Sequence, residues 1–226
     1  MKDYSFHVND EKGEVSALLQ STGEPAKARL VFGHGAGANM RHSHMQNLAD
    51  ALATHNIETL RYQFPYMESG GGRTDNLPNC MATIEGALGL SANLNSDIPT
   101  LLAGHSFGGR MSSHFAAEYP DDPGVAGLIY FSFPLHPSGK PDIKRANHLP
   151  DIQVPQLFLS GDRDKLAELE FLTPVIERLD LASLHLIETA DHSFKILKRT
   201  RESSEDIYAE AARIASDFVD KLVSAT

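Results

Sequence analysis

The chain has 226 residues, 41% of them hydrophobic, and a formal net charge of −10. This length predicts one large α/β domain over residues 1–226, and the acidic balance argues against a nucleic-acid partner, because phosphate contacts require a basic face. Cys80 is the only cysteine, so an internal disulfide or a thiolate metal site cannot form. No run is apolar enough to span a bilayer and the first residues lack a signal peptide's apolar core, so we expect a cytoplasmic protein without a membrane partner.

The start of the chain predicts the first strands of a sheet. Residues 4–8 and 15–20 indicate two short strands that form an antiparallel hairpin at the sheet edge. Residues 28–32 predict the next strand, which runs into the glycine-rich loop 33–39. The helix that follows carries apolar side chains at helical spacing, at Met45, Leu48, Ala49 and Leu52. A strand at 58–62 then leads into a long connection, 63–79, which we expect to be functional or mobile.

The remainder of the chain continues the alternation of strands and helices. The predicted strands are 99–103, 125–133, 155–159 and 184–187. The predicted helices are 81–94, a segment that ends before Pro120, 169–179, and an amphipathic helix from Glu205 with Ser203 and Asp206 as its capping pair. Residues 136–154 indicate a loop that is too short for a cap domain. Such alternation predicts a mostly parallel sheet with helices on both faces and sites beyond the carboxyl ends of the strands.

A glycine-flanked serine lies between a predicted strand and a predicted helix, in the sequence GHSFG at 104–108. A serine at the tip of such a turn is held in a strained conformation with its hydroxyl exposed. Glycine two residues to each side avoids a collision with neighbouring elements. The pattern predicts Ser106 as a nucleophile, and the alternative is a glycine-rich structural turn.

A serine hydroxyl needs a base within hydrogen-bond reach and a third group that orients the base. Asp164 follows one predicted strand and His192 follows the last, so the order serine, acid, histidine matches that of hydrolases with this turn. The acid could also be Asp162, which lies in the same turn as Asp164. Asp191 is disfavoured, because a carboxylate next to its histidine in sequence is badly placed to reach the imidazole Nδ1.

Stabilising a tetrahedral intermediate requires hydrogen-bond donors aimed at its oxygen. The amide of Phe107, directly after the nucleophile, is one predicted donor of an oxyanion hole. The glycine-rich loop is predicted to supply the second donor from Ala36 or, next, from Gly37. Gly37 also belongs to the predicted substrate-binding residues, and His105 is predicted to pack beside the site or to line it.

No metal and no other cofactor is predicted. The sequence has no H-E-x-x-H pattern, and His42 and His44 would lie on different sides of a helix. Several basic residues could favour an anionic substrate, with solvated surface charges as the alternative interpretation. These residues are Arg73, Arg110, Lys140, Lys144 and Arg145.

Six segments carry a resemblance to known proteins: GHGAGANMRH, RYQFPYMESGGGR, AGHSFGGRMS, YFSFPLHPSGKP, LSGDRDKL and DHSFK. The chain resembles the α/β-hydrolase superfamily over essentially its whole length. Within it, the chain is similar to small dienelactone-hydrolase-like predicted hydrolases, whose eukaryotic relatives include a testis-expressed protein and a subunit of a histone-acetyltransferase complex. The resemblance implies Ser106, Asp164 and His192 as the triad, a three-layer fold without a large cap domain, and Phe64-Pro65-Tyr66 and Arg73 at the site entrance. A dienelactone hydrolase uses a cysteine nucleophile, and here the position holds serine.

The sequence therefore predicts a serine hydrolase of the EC 3.1.1 class that cleaves esters of a small-molecule acyl substrate through a covalent acyl-enzyme. Without a cap domain, the pocket should be open and shaped by the loops 63–79 and 136–154. Two alternatives remain, namely a non-catalytic interaction module that retains the fold and an acyltransferase that uses the same triad. We expect a monomer or a small homo-oligomer.

Overall fold

A computed structural model describes residues 1–224, which build an eight-stranded sheet. In chain order the strands are β1 Lys2–Asn9, β2 Gly13–Gln20, β3 Ala28–Gly33, β4 Ile57–Tyr62, β5 Thr100–His105, β6 Leu128–Phe131, β7 Gln156–Gly161 and β8 Ala182–Ile187. Their spatial order is β1-β2-β4-β3-β5-β6-β7-β8. Strand β2 pairs antiparallel with both β1 and β4, and the pairs from β4 to β8 are parallel. The predicted mostly parallel sheet with an antiparallel hairpin at its edge is confirmed.

Helices cover both faces of the sheet. They are α1 Ser43–Ala53, α2 Pro65–Glu68, α3 Leu77–Leu94, α4 Phe107–Glu118, α5 Leu169–Ile176 and α6 Ile207–Ser224. Helices α1 and α6 bury Met45 and Ala211 in the apolar cluster on one face. Helices α3, α4 and α5 bury Ile84, Phe115 and Leu172 in the cluster on the other face. Burial of a large apolar side chain stabilises the fold by roughly 1.5–3 kcal/mol, so the two clusters hold the three predicted layers together.

Two stretches differ from their predicted secondary structure, and in both a proline lies in the first turn of a helix. Helix α2 begins with Pro65 inside the stretch 63–79, which was expected to be one connection. Helix α3 begins at Leu77 and not at 81, because the side chain of Asn76 accepts a hydrogen bond from the Asn79 amide at 3.0 Å and Pro78 is tolerated in the first turn.

The start of α6 is also shifted relative to the prediction. The Asp206 carboxylate caps the helix by accepting hydrogen bonds from the amides of Tyr208 at 2.9 Å and Ala209 at 3.1 Å. The Ser203 hydroxyl accepts from the Glu205 amide at 3.2 Å, outside the helix. Among residues 1–224, no helix is both long enough and apolar enough to cross a membrane.

Candidate active site

Strand β5 places Ser106 at the carboxyl end of the sheet, between β3 and β6. Ser106 has φ 52° and ψ −113°, a conformation that side-chain-bearing residues rarely adopt, and α4 starts immediately after it. The flanking glycines have no room for a side chain. A Cβ on Gly104 would lie 2.1 Å from the nitrogen of Gly109, and one on Gly108 would lie 2.3 Å from the carbonyl carbon of Gly33. Close backbone packing therefore requires both glycines and holds the serine at the tip of a sharp turn.

Three predicted side chains meet at this turn. His192 Nε2 lies 2.8 Å from Ser106 Oγ, and His192 Nδ1 lies 2.7 Å from Asp164 Oδ2. The Asp164 side chain is buried, and its other oxygen accepts a hydrogen bond from the Leu166 amide at 2.7 Å. Asp162 is exposed and does not contact the histidine. Of the two carboxylates in the turn, Asp164 is the one that contacts the imidazole.

The loop after β8 holds His192 through its backbone. The Asp191 carboxylate accepts hydrogen bonds from the amides of Ser193 at 2.8 Å and Lys195 at 3.0 Å. The carbonyl oxygen of His192 lies 3.0 Å from His105 Nε2, which donates to it. Asp191 therefore shapes the loop and does not bond the imidazole, as its adjacency in sequence indicates.

Hydrogen bonds from two buried rings hold the glycine-rich loop after β3 in place. His34 Nδ1 donates to the carbonyl oxygen of Gly35 at 2.9 Å, and its Nε2 accepts from the Phe64 amide at 3.1 Å. Burial lowers the pKa of His34 to about 4, so its ring is neutral and can play both roles. The Tyr66 hydroxyl donates to the carbonyl oxygen of Ala36 at 2.9 Å. Tyr66 was expected at the site entrance, and the structure buries it behind the loop.

The two amides expected to form an oxyanion hole are both available. Within residues 1–224, the amides of Ala36 and Phe107 donate no hydrogen bond. Ala36 and the neighbouring Gly37 are exposed and line a cavity over Ser106. The Phe107 ring is buried against Phe64, and its amide is the first of α4, where the helix dipole favours negative charge.

The cavity over Ser106 has a volume of about 610 Å³. Its lining consists of residues 35–38, 42–45, 105, 106, 166, 192–195 and 208. His105 thus lines the cavity as expected, whereas Arg73 is exposed and lies outside the lining. The loops 63–79 and 136–154 contribute no residue to this lining, so the prediction that they shape the pocket is wrong for 136–154. The stretch 63–79 acts on the pocket only through the contacts of Phe64 and Tyr66 with the glycine-rich loop. The apolar side chains of both loops, such as Phe64 and Leu149, fill the core.

Comparison with known proteins identifies the family. The profile of the alpha/beta hydrolase domain matches residues 26–220. The chain belongs to the α/β hydrolase family. The more specific likeness to a testis-expressed protein and a histone-acetyltransferase subunit stays a prediction.

Solved structures show the same fold for this α/β hydrolase. A dienelactone hydrolase from Anabaena variabilis is 18% identical, with a TM-score of 0.74 and 97% of both chains covered. The esterase domain of a Rhodothermus marinus protein is 17% identical, with a TM-score of 0.73 and 98% of both chains covered. A serine hydrolase without lid from Xanthomonas campestris is 17% identical, with a TM-score of 0.71 and coverage of 99% of this chain and 94% of the other.

A histidine of α1 contributes to the site, although it is not among the residues predicted to form it. His44 is 7% exposed, its ring centroid lies 4.4 Å from that of His105, and its Nδ1 lies 3.2 Å from the Tyr208 hydroxyl. Burial lowers the pKa of His44 to about 3 and that of His105 to about 4. The signal in the sequence is the position of His44 in a first helical turn directly after the glycine-rich loop. Within the described residues, no three metal-ligating side chains are grouped to hold an ion.

Proposed function

We propose that this α/β hydrolase cleaves carboxylic esters with Ser106 as nucleophile, His192 as base and Asp164 as the residue that orients the base. The observation that carries the proposal is the continuous hydrogen-bond series from Ser106 Oγ through both nitrogens of His192 to Asp164 Oδ2, with distances of 2.8 Å and 2.7 Å. Such a series activates an otherwise weak hydroxyl nucleophile.

The reaction proceeds in two halves. Ser106 Oγ attacks the ester carbonyl carbon while its proton passes to His192 Nε2, and the buried Asp164 carboxylate stabilises the imidazolium. The carbon–oxygen bond to the alcohol then breaks, and His192 gives its proton to the departing oxygen. In the second half His192 takes a proton from water, whose oxygen attacks the acyl-enzyme. Release of the acid returns the proton to Ser106.

The negative oxygen of each tetrahedral intermediate is stabilised by backbone amides. Phe107 and Ala36 have free amides, and the anchors beneath the glycine-rich loop keep Ala36 in place before substrate binds. A donor fixed in advance needs no reorganisation during the reaction, and each one contributes roughly 10²- to 10³-fold in rate.

Labelling with a fluorophosphonate probe tests the proposal. The probe should form an adduct on Ser106 that peptide mapping locates, and the adduct should be absent from Ser106→Ala and strongly reduced in His192→Ala. Ser113→Ala is a matched control, because Ser113 Oγ lies 2.7 Å from His148 Nε2 in another serine–histidine pair. We expect this variant to be labelled like the parent.

Hydrolysis of 4-nitrophenyl esters provides the second measurement. Ser106→Ala should lower kcat/KM by roughly 10⁴- to 10⁶-fold. Competing alcohol and amine acceptors in the same assay would reveal acyl transfer as ester or amide products. A folded protein that gives neither an adduct nor Ser106-dependent turnover would refute the proposal and favour a non-catalytic interaction module.

A further inference from the structure

The cavity over Ser106 differs in charge from the rest of the molecule. The chain has 30 acidic and 20 basic residues, excluding histidine. Of the described residues that line the cavity, none is acidic, and Lys195 is the only lysine or arginine. A ligand anion therefore meets one cation and no carboxylate in this lining, although the protein as a whole is acidic.

The Lys195 ammonium group is free to bind a ligand. The residue is exposed, and its Nζ forms no ion pair or hydrogen bond within residues 1–224. The nearby carboxylates already have partners. Asp191 accepts from two amides of the loop, and buried Asp164 accepts from His192 and Leu166.

The position of Lys195 in the chain indicates which half of an ester it faces. In the proposed reaction His192 gives its proton to the departing alcohol oxygen, so the alcohol half must lie beside the loop that carries His192. Lys195 lies three residues further along this same loop and lines the same cavity. Between them, Phe194 is buried against the ring of His44, at 5.2 Å between centroids. Phe194 also lines the cavity, so an apolar residue lies between His192 and Lys195 in this part of the lining.

We propose that the preferred substrate is an ester whose alcohol half carries a carboxylate, and that Lys195 binds this carboxylate. The inference rests on the proposed ester hydrolysis and adds the substrate class. The cavity of about 610 Å³ accommodates an aromatic hydroxy acid with a short acyl chain. Lys195 is a specificity residue in this assignment, because it contacts a part of the substrate that does not react.

The test compares two esters that differ in one group. The probes are 4-butyryloxybenzoate, which carries the carboxylate on the alcohol half, and the neutral 4-butyryloxybenzamide. The readout is the ratio of their kcat/KM values, so a general loss of activity cancels. The parent should prefer the carboxylate, and Lys195→Gln should lower the ratio by about 10-fold, the scale of one charge-assisted hydrogen bond. The parent's ratio should also fall with added salt.

Two controls separate this assignment from a general charge effect. Lys198→Gln removes an exposed lysine of the same segment that does not line the cavity, and it should leave the ratio unchanged. The mono-4-nitrophenyl ester of glutaric acid carries its carboxylate on the acyl half and should not depend on Lys195. An equal ratio in the parent and Lys195→Gln, or Lys195 dependence only with the glutarate ester, would overturn the inference.

A binding measurement separates failure of the inference from failure of the proposed function. The product 4-hydroxybenzoate is titrated into Ser106→Ala with and without Lys195→Gln. If no ester is hydrolysed but the product binds in a Lys195-dependent way, the anion subsite stands and ester hydrolysis is refuted. If the product binds neither protein, or binds both equally, the subsite is refuted whatever the activity.

Discussion

Lowering the pH from 7 to 5 should remove about 6 kcal/mol from the free energy of unfolding through three histidines, because His34, His44 and His105 are held neutral by the fold. Burial lowers their pKa values from 6.5 to about 4, 3 and 4, respectively. Between 6.5 and these values the unfolded chain binds more protons than the folded protein, so stability falls as the pH falls. Each histidine contributes roughly 1.4 kcal/mol per pH unit in this window, or about 2 kcal/mol from pH 7 to pH 5. The sum is comparable with the roughly 5–15 kcal/mol stability of a typical domain. The half-buried His114 and His148, whose pKa values burial lowers to about 4 and 3, add to the loss.

Urea unfolding at pH 7, 6 and 5 measures this loss. Far-UV circular dichroism is the suitable signal, since the chain has no tryptophan. His44→Phe removes one buried imidazole and should reduce the loss by about 2 kcal/mol. His7→Gln is the control, because the His7 side chain is 58% exposed, and this variant should lose as much as the parent. A parent that loses less than about 1 kcal/mol, or a His44→Phe variant with an undiminished loss, would refute the reasoning.

Three further predictions concern the residues that build the site. Asp164→Asn should lower kcat/KM for ester hydrolysis by roughly 10⁴-fold, because it leaves His192 wrongly oriented. Asp162→Asn should change kcat/KM by no more than about threefold. Equal losses of kcat/KM in the two variants would contradict the assignment of Asp164 as the acid. Gly104→Ala should cost more than about 3 kcal/mol in urea unfolding, because its Cβ would meet backbone at 2.1 Å, and a near-parental midpoint would show that the turn can yield. Asp191→Ala should lower kcat/KM by about 10-fold through loss of two backbone hydrogen bonds, and Asp191→Asn should restore most of it, because an amide oxygen can still accept. Equal losses in the alanine and asparagine variants would show that charge, and not the backbone contacts, matters at Asp191.

The fold and the turn at Ser106 could be predicted because their causes are local. Apolar alternation and helical spacing mark the buried faces, and both appear directly in the sequence. The G-x-S-x-G spacing predicts that neighbouring backbone lies too close to residues 104 and 108 for a side chain. The structure shows this close backbone packing at both Gly104 and Gly108. The turn that holds Asp164 and the loop that holds His192 each follow a parallel strand, whose carboxyl ends share one edge of the sheet.

The walls of the cavity could not be predicted, because they depend on contacts between distant parts of the chain. His44 and Tyr208 are 164 residues apart in sequence, and their contact requires α1 and α6 to pack side by side on one face. Nothing in either segment alone indicates this neighbour. The stretch 63–79 has the glycines and prolines of a functional loop, yet Phe64 and Tyr66 are buried, and burial depends on the surrounding helices.

The buried histidines that make the protein sensitive to acid also determine the charge of the cavity at neutral pH. If His44 or His105 were protonated at pH 7, each would add a positive charge to the cavity. Burial keeps both rings neutral, so neither adds charge there. The same burial leaves Lys195 as the one permanent cation among the described lining residues. Below pH 6.5 protons bind to these histidines in the unfolded chain and not in the fold. Acidification therefore lowers the free energy of unfolding.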